Sequence, residues 1–148
     1  MTNLDEDFTN EEPTVLDRLV RPTLGLLVII DIVLGGVAVF FPSVYMRFIH
    51  PYAPPDTPVY LLQRAGAVWL GYLVVQAIAF FWYIDIPEWV LVVGILRLIE
   101  VPADALYVTV GSGFGSFGRF GLIVAPIFNL IVGWMLVRWY FRSGQLKA

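Results

Sequence analysis

The chain has no cysteine and a single histidine, His50. The first absence excludes disulfides, thiolate metal sites and CxxC redox chemistry. The second excludes a multi-histidine metal or haem site within this chain alone. Charge is scarce as well: charged residues make up 14% of the chain against 59% hydrophobic, and the mean hydropathy is +0.79. No nucleophile–base pair of the kind acyl transfer needs stands out, and no metal motif does. No catalytic residue and no metal ligand is therefore assigned.

What is present is apolar sequence in long runs. A membrane-crossing helix needs about 20 mostly apolar residues at about 1.5 Å rise each. Four stretches meet that length, at about 22–41, 61–83, 88–110 and 119–140. The expected fold class is all-α, an integral membrane four-helix bundle over residues 18–142, with no room left for a soluble catalytic domain or a nucleic-acid module. Residues 1–17 read as an acidic, flexible tail that supplies most of the net charge of −3, and residues 143–148 as a short carboxyl-terminal tail. The amino terminus lacks the basic start and small-residue cleavage site of a signal peptide, so the first helix is expected to act as its own insertion signal.

Basic flanks set the expected orientation. Arg18 and Arg21 precede the first span, and Arg138, Arg142 and Lys147 lie at or beyond the end of the last. With an even number of spans, both termini are expected to be cytoplasmic in a multi-pass protein of the cell membrane. Pro42 to His50 is expected to form a short interfacial turn, with Val44, Tyr45, Phe48 and Ile49 toward lipid and Ser43, Arg47 and His50 toward water. The glycine-rich run from Gly111 to Gly118 has the composition of a phosphate-binding loop but follows a membrane helix rather than a strand, so it reads as a flexible outer loop.

Charge inside the third span is the most informative feature. Arg97, Glu100 and Asp104 stand at i, i+3 and i+7 and so share one helix face. A charge at the bilayer centre costs about 2.5 to 3.5 kcal/mol, so such residues face the protein interior and pair. Depth at about 1.5 Å per residue puts Asp31 of the first span and Asn129 of the fourth near Arg97 and Glu100, and puts Arg64 of the second near Asp104. Two polar layers are expected: Asp31, Arg97, Glu100 and Asn129 at mid-depth, and Arg64 with Asp104 toward the outside. Three carboxylates against two arginines leave one carboxylate over, Glu100 or Asp31, to carry a proton. Small residues Gly35 and Gly36 on the first span and Ala65, Gly66, Ala67 and Gly71 on the second are expected at helix contacts, with Arg64, Ala67 and Gly71 against the third span.

The run from Asp31 through Gly35-Gly36 to Pro42, and Leu62-Gln63-Arg64-Ala65-Gly66-Ala67-Val68-Trp69-Leu70-Gly71, resembles small four-helix membrane proteins of the DoxX-like group over the first three spans. The resemblance implies a four-helix bundle in the cytoplasmic membrane, in a group some of whose members are associated with quinone-linked sulfur oxidation or redox partners. This chain has no cysteine for a thiol-based role, and no catalytic residue carries over. Two functions follow from the sequence. One is a non-catalytic accessory or subunit-type protein, with a protein partner or a second copy in the bilayer. The other is a quinone-, lipid-, proton- or solute-handling protein built on the Asp31, Arg97 and Glu100 layer. No cofactor is assigned, quinone being the one left open, and no nucleic-acid partner is expected.

Overall fold

The computed structural model describes residues 14–53 and 58–145. Among them the chain is all-helical, with no strand: α1 (Val15–Phe40), α2 (Pro42–Ile49), α3 (Val59–Trp82), α4 (Glu88–Val110) and α5 (Ser116–Gln145). Three helices are long and apolar enough to cross a membrane: α1, α3 and the Ser116–Ser143 part of α5. The fourth long helix, α4, carries Glu88, Arg97, Glu100 and Asp104 along its length.

Helix α1 starts well before Pro22, where the sequence places its beginning. The Asp17 carboxylate accepts from the Thr14 backbone N–H at 2.8 Å and from its hydroxyl at 2.6 Å. That cap satisfies a donor the first turn would otherwise leave bare, so the last residues of the expected acidic tail are helical. The remainder of that tail, and residues 146–148, lie outside the described residues. Helix α4 runs through Pro102 to Val110 without a break.

The long helices form two intimate pairs, α1 with α3 and α4 with α5. Each pair closes on reciprocal glycines. A Cβ on Gly35 would stand 3.0 Å from the Gly66 carbonyl oxygen, and one on Gly66 would stand 3.0 Å from that of Gly35. Gly94 and Gly133 mirror this in the second pair, at 3.1 and 2.9 Å. Bare backbone thus lets the two helices of each pair approach closely without interdigitating side chains. The expected small-residue contact holds for Gly35 and Gly66. It does not hold for Ala67 and Gly71, which are exposed, and nothing lies within 4 Å of a Cβ placed on Gly36 or Gly71.

Around the bundle the order is α1, α3, α4, α5, so α1 and α4 face each other across a diagonal. The two ends of the helical chain lie together: Trp139 Nε1 donates to Asp17 Oδ1 at 2.7 Å, and the Arg21 guanidinium sits 5.3 Å from the Phe80 ring centre. The apolar core fills this half of the bundle, with Leu24 and Leu27 of α1, Ala79 of α3, Val90 and Val93 of α4 and Leu136 of α5. Helix α2 lies across the opposite end and touches α1, α3 and α5.

That far end is built differently from the sequence expectation. The 111–115 segment, read as flexible, is a seat for the segment after α2. Gly115 N–H donates to the Ile49 carbonyl at 3.1 Å, and Tyr52 N–H to the Gly113 carbonyl at 3.2 Å. Gly113 has a φ of +75° and leaves a Cβ only 2.9 Å from Ala53 backbone atoms, so two separate demands call for glycine there. Gly118 presses on the Ile49 backbone, where a Cβ would clash outright. Tyr45, Ile49 and His50 consequently turn inward and are half-buried, while Val44 and Phe48 are exposed.

Candidate functional site: a polar layer beneath a lateral cavity

Midway along the bundle the apolar core gives way to a buried polar layer. Asp31, Gln76, Arg97 and Asn129 are 2%, 1%, 4% and 6% exposed. From α4, Arg97 reaches across the diagonal and donates from Nη2 to Asp31 Oδ2 on α1 at 2.6 Å. The same oxygen accepts from Gln76 Nε2 of α3 at 2.7 Å. The second guanidinium amine, Nη1, donates to Glu100 Oε2 one helical turn along α4 at 2.8 Å. Three helices thereby meet at one carboxylate oxygen, Asp31 Oδ2, while the planar fork of Arg97 serves two carboxylates at once. Arg97 Nε and Gln76 Oε1 are buried without a partner among the described residues.

The second expected layer is rearranged. Asp104 is met by Asn129, whose Nδ2 donates to Asp104 Oδ2 at 3.0 Å. Arg64 is exposed and forms no ion pair among the described residues. The face of α3 that carries Arg64, Ala67 and Gly71 points out of the bundle, so equal depth does not bring Arg64 to Asp104. The interior charge changes accordingly: Asp31, Glu100 and Asp104 stand against Arg97 alone, an excess of two negative charges when all three carboxylates are ionised.

Above this layer, toward α2, the bundle opens into a cavity of about 620 Å³ between α3 and α4. The tight turn at 83–87 holds these helices together at the other end, and they touch over a limited stretch. The floor and inner wall carry Glu100, Asp104, Tyr72 and Tyr107, and Tyr45 and His50 close the end from α2. Apolar lining comes chiefly from Leu62, Ala65 and Trp69. Leu61, Val68 and Ala103 line the cavity and are exposed, so it opens sideways between α3 and α4; Tyr107 and Ser112 toward its α2 end are exposed as well.

The end wall is set by local contacts. The Tyr45 ring packs against Trp69 with centres 6.3 Å apart. Burial, with Tyr107 and Asp104 nearby, pushes the Tyr45 hydroxyl up to about 12, so it stays a neutral donor and acceptor. His50 Nε2 and the Tyr107 hydroxyl are 2.8 Å apart, and Phe114 lies 4.8 Å from the imidazole centre. Burial pushes the His50 ring below its ordinary value, with a backbone hydrogen bond to Ser112 pulling the other way. A neutral ring that donates to the Ser112 backbone leaves Nε2 to accept from Tyr107.

Asp31, Arg97, Glu100, Asp104 and Asn129 are thus one connected neighbourhood, with Arg64 outside it. Gln76 completes the layer, and Tyr45, Tyr72, Tyr107 and His50 complete the cavity. Gln76 carries a signal in its depth on α3, close to that of Asp31. Tyr72 and Tyr107 carry one in their spacing, since Tyr72 stands at i−4 from Gln76 and Tyr107 at i+3 from Asp104. Tyr45 and His50 carry none, because their inward direction comes from the docking of α2 and the 111–115 segment. No protein-family model, curated protein or solved structure matches the chain.

Proposed function

We propose that this is a four-span membrane protein that takes an amphiphilic small molecule from the bilayer into the cavity between α3 and α4, with its polar head against Glu100 and Asp104. The observation that carries this is the position of the two acids. Both line an otherwise largely apolar space that opens sideways. A device for helix registration alone would keep its charges away from any cavity, as Asp31 and Arg97 are, whereas Glu100, although paired with Arg97, also faces the open space. The quinone- and lipid-binding reading of the sequence falls within this function, as does the resemblance to the DoxX-like group.

In this reading α4 is the fourth span. Its outward face is apolar, with Val92, Ile95, Ile99, Leu106 and Val110 exposed, while Arg97 is turned inward. Both termini lie on the cytoplasmic side by the basic-flank argument. The cavity then sits in the outer half of the membrane.

The test is native mass spectrometry of the full chain released from mild detergent. A bound small amphiphile is expected on the unaltered protein and is lost in Ala103→Phe, which adds a ring to the cavity wall. Absence of any bound molecule, together with a stoichiometric protein partner, would favour the accessory-subunit reading instead. One observation supports that second reading: Arg64, Ala67 and Gly71 form an exposed stripe on α3 where a neighbouring helix could seat.

A further inference from the structure

The chemistry of the cavity narrows the ligand, and this step rests on the binding function proposed above. We infer that the site selects a lipophilic organic cation, an ammonium- or phosphonium-type head on an apolar body, over neutral and anionic amphiphiles.

Charge balance is the first argument. The three interior carboxylates face one arginine, and that arginine is occupied: Arg97 gives Nη2 to Asp31 and Nη1 to Glu100. Among the described residues, neither Arg97 nor any other arginine or lysine lines the cavity. A ligand head therefore meets two acids and no arginine or lysine, with the His50 ring at the end wall. Glu100 and Asp104 are one helical turn apart, about 6 Å along the axis, which lets a single cation of that size lie between them.

The second argument is the remaining wall. Tyr45, Trp69, Tyr72 and Tyr107 surround the acids with aromatic rings. Aromatic faces attract cations with an energy that grows when water is excluded, and they offer no such attraction to anions. Rings and carboxylates together suit an alkylated cation, which has few or no N–H groups to donate. A phospholipid head fits less well, because its phosphate would lie beside the same carboxylates with no arginine or lysine among the described lining residues to receive it.

The third argument is volume. About 620 Å³ is far more than an inorganic cation fills. Small-molecule sites occupy about 300 to 1,000 Å³. An inorganic ion would be left beside apolar wall and open space, without the ring of oxygen ligands that hard cations need.

The experiment uses two ions of nearly the same shape and opposite charge. Equilibrium dialysis of tetraphenylphosphonium and tetraphenylborate against the full-length protein in maltoside detergent is corrected by a protein-free micelle blank. Saturable phosphonium binding is expected, with no saturable borate binding. Glu100→Gln and Asp104→Asn should each weaken phosphonium binding about tenfold or more, since each removes one partner of a desolvated charge pair. Melting temperatures of the two variants show whether they remain folded. If either variant unfolds, the phosphonium-to-borate preference of the unaltered protein decides alone.

Equal binding of both ions, or phosphonium binding unchanged in two folded variants, overturns the cation assignment. The cavity reading fails separately. If Ala103→Phe leaves the bound amphiphile and the phosphonium untouched, the cavity is not the site. If Ala103→Phe blocks binding but charge makes no difference, the cavity stands and the cation assignment falls.

Discussion

Arg97 on α4 and Asp31 on α1 meet across the diagonal of the bundle, Nη2 to Oδ2 at 2.6 Å, with both side chains almost wholly buried. Among the described residues no close backbone approach joins these two helices. The ion pair, extended by Gln76 and Glu100, is what ties the α1–α3 pair to α4 at mid-depth. It lies between the packed apolar half and the open half, and so forms the floor on which the cavity rests.

Replacing Arg97 with glutamine should therefore act on the whole bundle. It leaves Asp31 and Glu100 without their shared cation, and breaking a buried pair from one side costs about 3 to 5 kcal/mol. Thermal unfolding in maltoside detergent should show a clear drop in midpoint for Arg97→Gln. The double variant Asp31→Leu, Arg97→Met should recover part of it, because apolar replacement removes both desolvated charges together. An unchanged midpoint in the single variant would remove the pair as a structural tie.

The reciprocal glycines make a second prediction. A Cβ on Gly66 would lie 2.7 Å from the Ala38 Cβ and 3.0 Å from the Gly35 carbonyl, both on a packed helix that cannot yield cheaply. Gly66→Ala should lower stability by about 1 to 3 kcal/mol, the usual range for overpacking. Gly71→Ala is the control, farther along α3 on the exposed face with nothing within 4 Å, and should be neutral. Equal effects in the two variants would contradict the close α1–α3 approach.

The end wall gives a pH dependence. Burial holds the folded His50 ring below its ordinary value, so the unfolded chain binds that proton more readily. The stability it contributes is complete above the ordinary imidazole value of about 6.5 and is lost as pH falls from there toward the depressed folded value. Protonation also ends the acceptor role of Nε2 toward Tyr107. Unfolding midpoints of the unaltered protein and His50→Gln, followed between about pH 7.5 and pH 5, should separate at the upper end and converge at the lower. Parallel curves would show that His50 does not titrate with folding.

The polar layer is legible in the sequence because it depends on depth, and depth is set by counting along a helix. Asp31, Arg97 and Glu100 can be matched this way from the order of residues alone. Depth says nothing about which way a side chain points around the helix axis. That is why counting puts Arg64 with Asp104, although its face of α3 turns outward and Asn129 takes the position. The glycine run misleads for a related reason. Its composition is that of a loop, but its conformation is imposed by residues 49–53, distant in sequence, which fit only where Gly113, Gly115 and Gly118 carry no side chain. A helical wheel over α2 gives His50 and Tyr45 outward directions, and the docking of α2 onto that glycine seat rotates both into the cavity.

The number of spans follows from α4, whose interior charges set it apart from the other three long helices. A chain without native cysteine allows a direct test, since any single introduced cysteine is the only thiol present. Asp85 lies in the exposed turn between α3 and α4, and Ser112 is exposed just beyond α4. If α4 crosses, Asp85→Cys lies on the side of the termini and Ser112→Cys on the other. A membrane-impermeant maleimide applied to intact cells should then label Ser112→Cys and leave Asp85→Cys unlabelled until the membrane is opened. Labelling of both positions from the same side would mean that α4 does not cross. Its charged face would then meet water rather than a membrane interior, and the expense that makes Arg97, Glu100 and Asp104 informative would disappear with it.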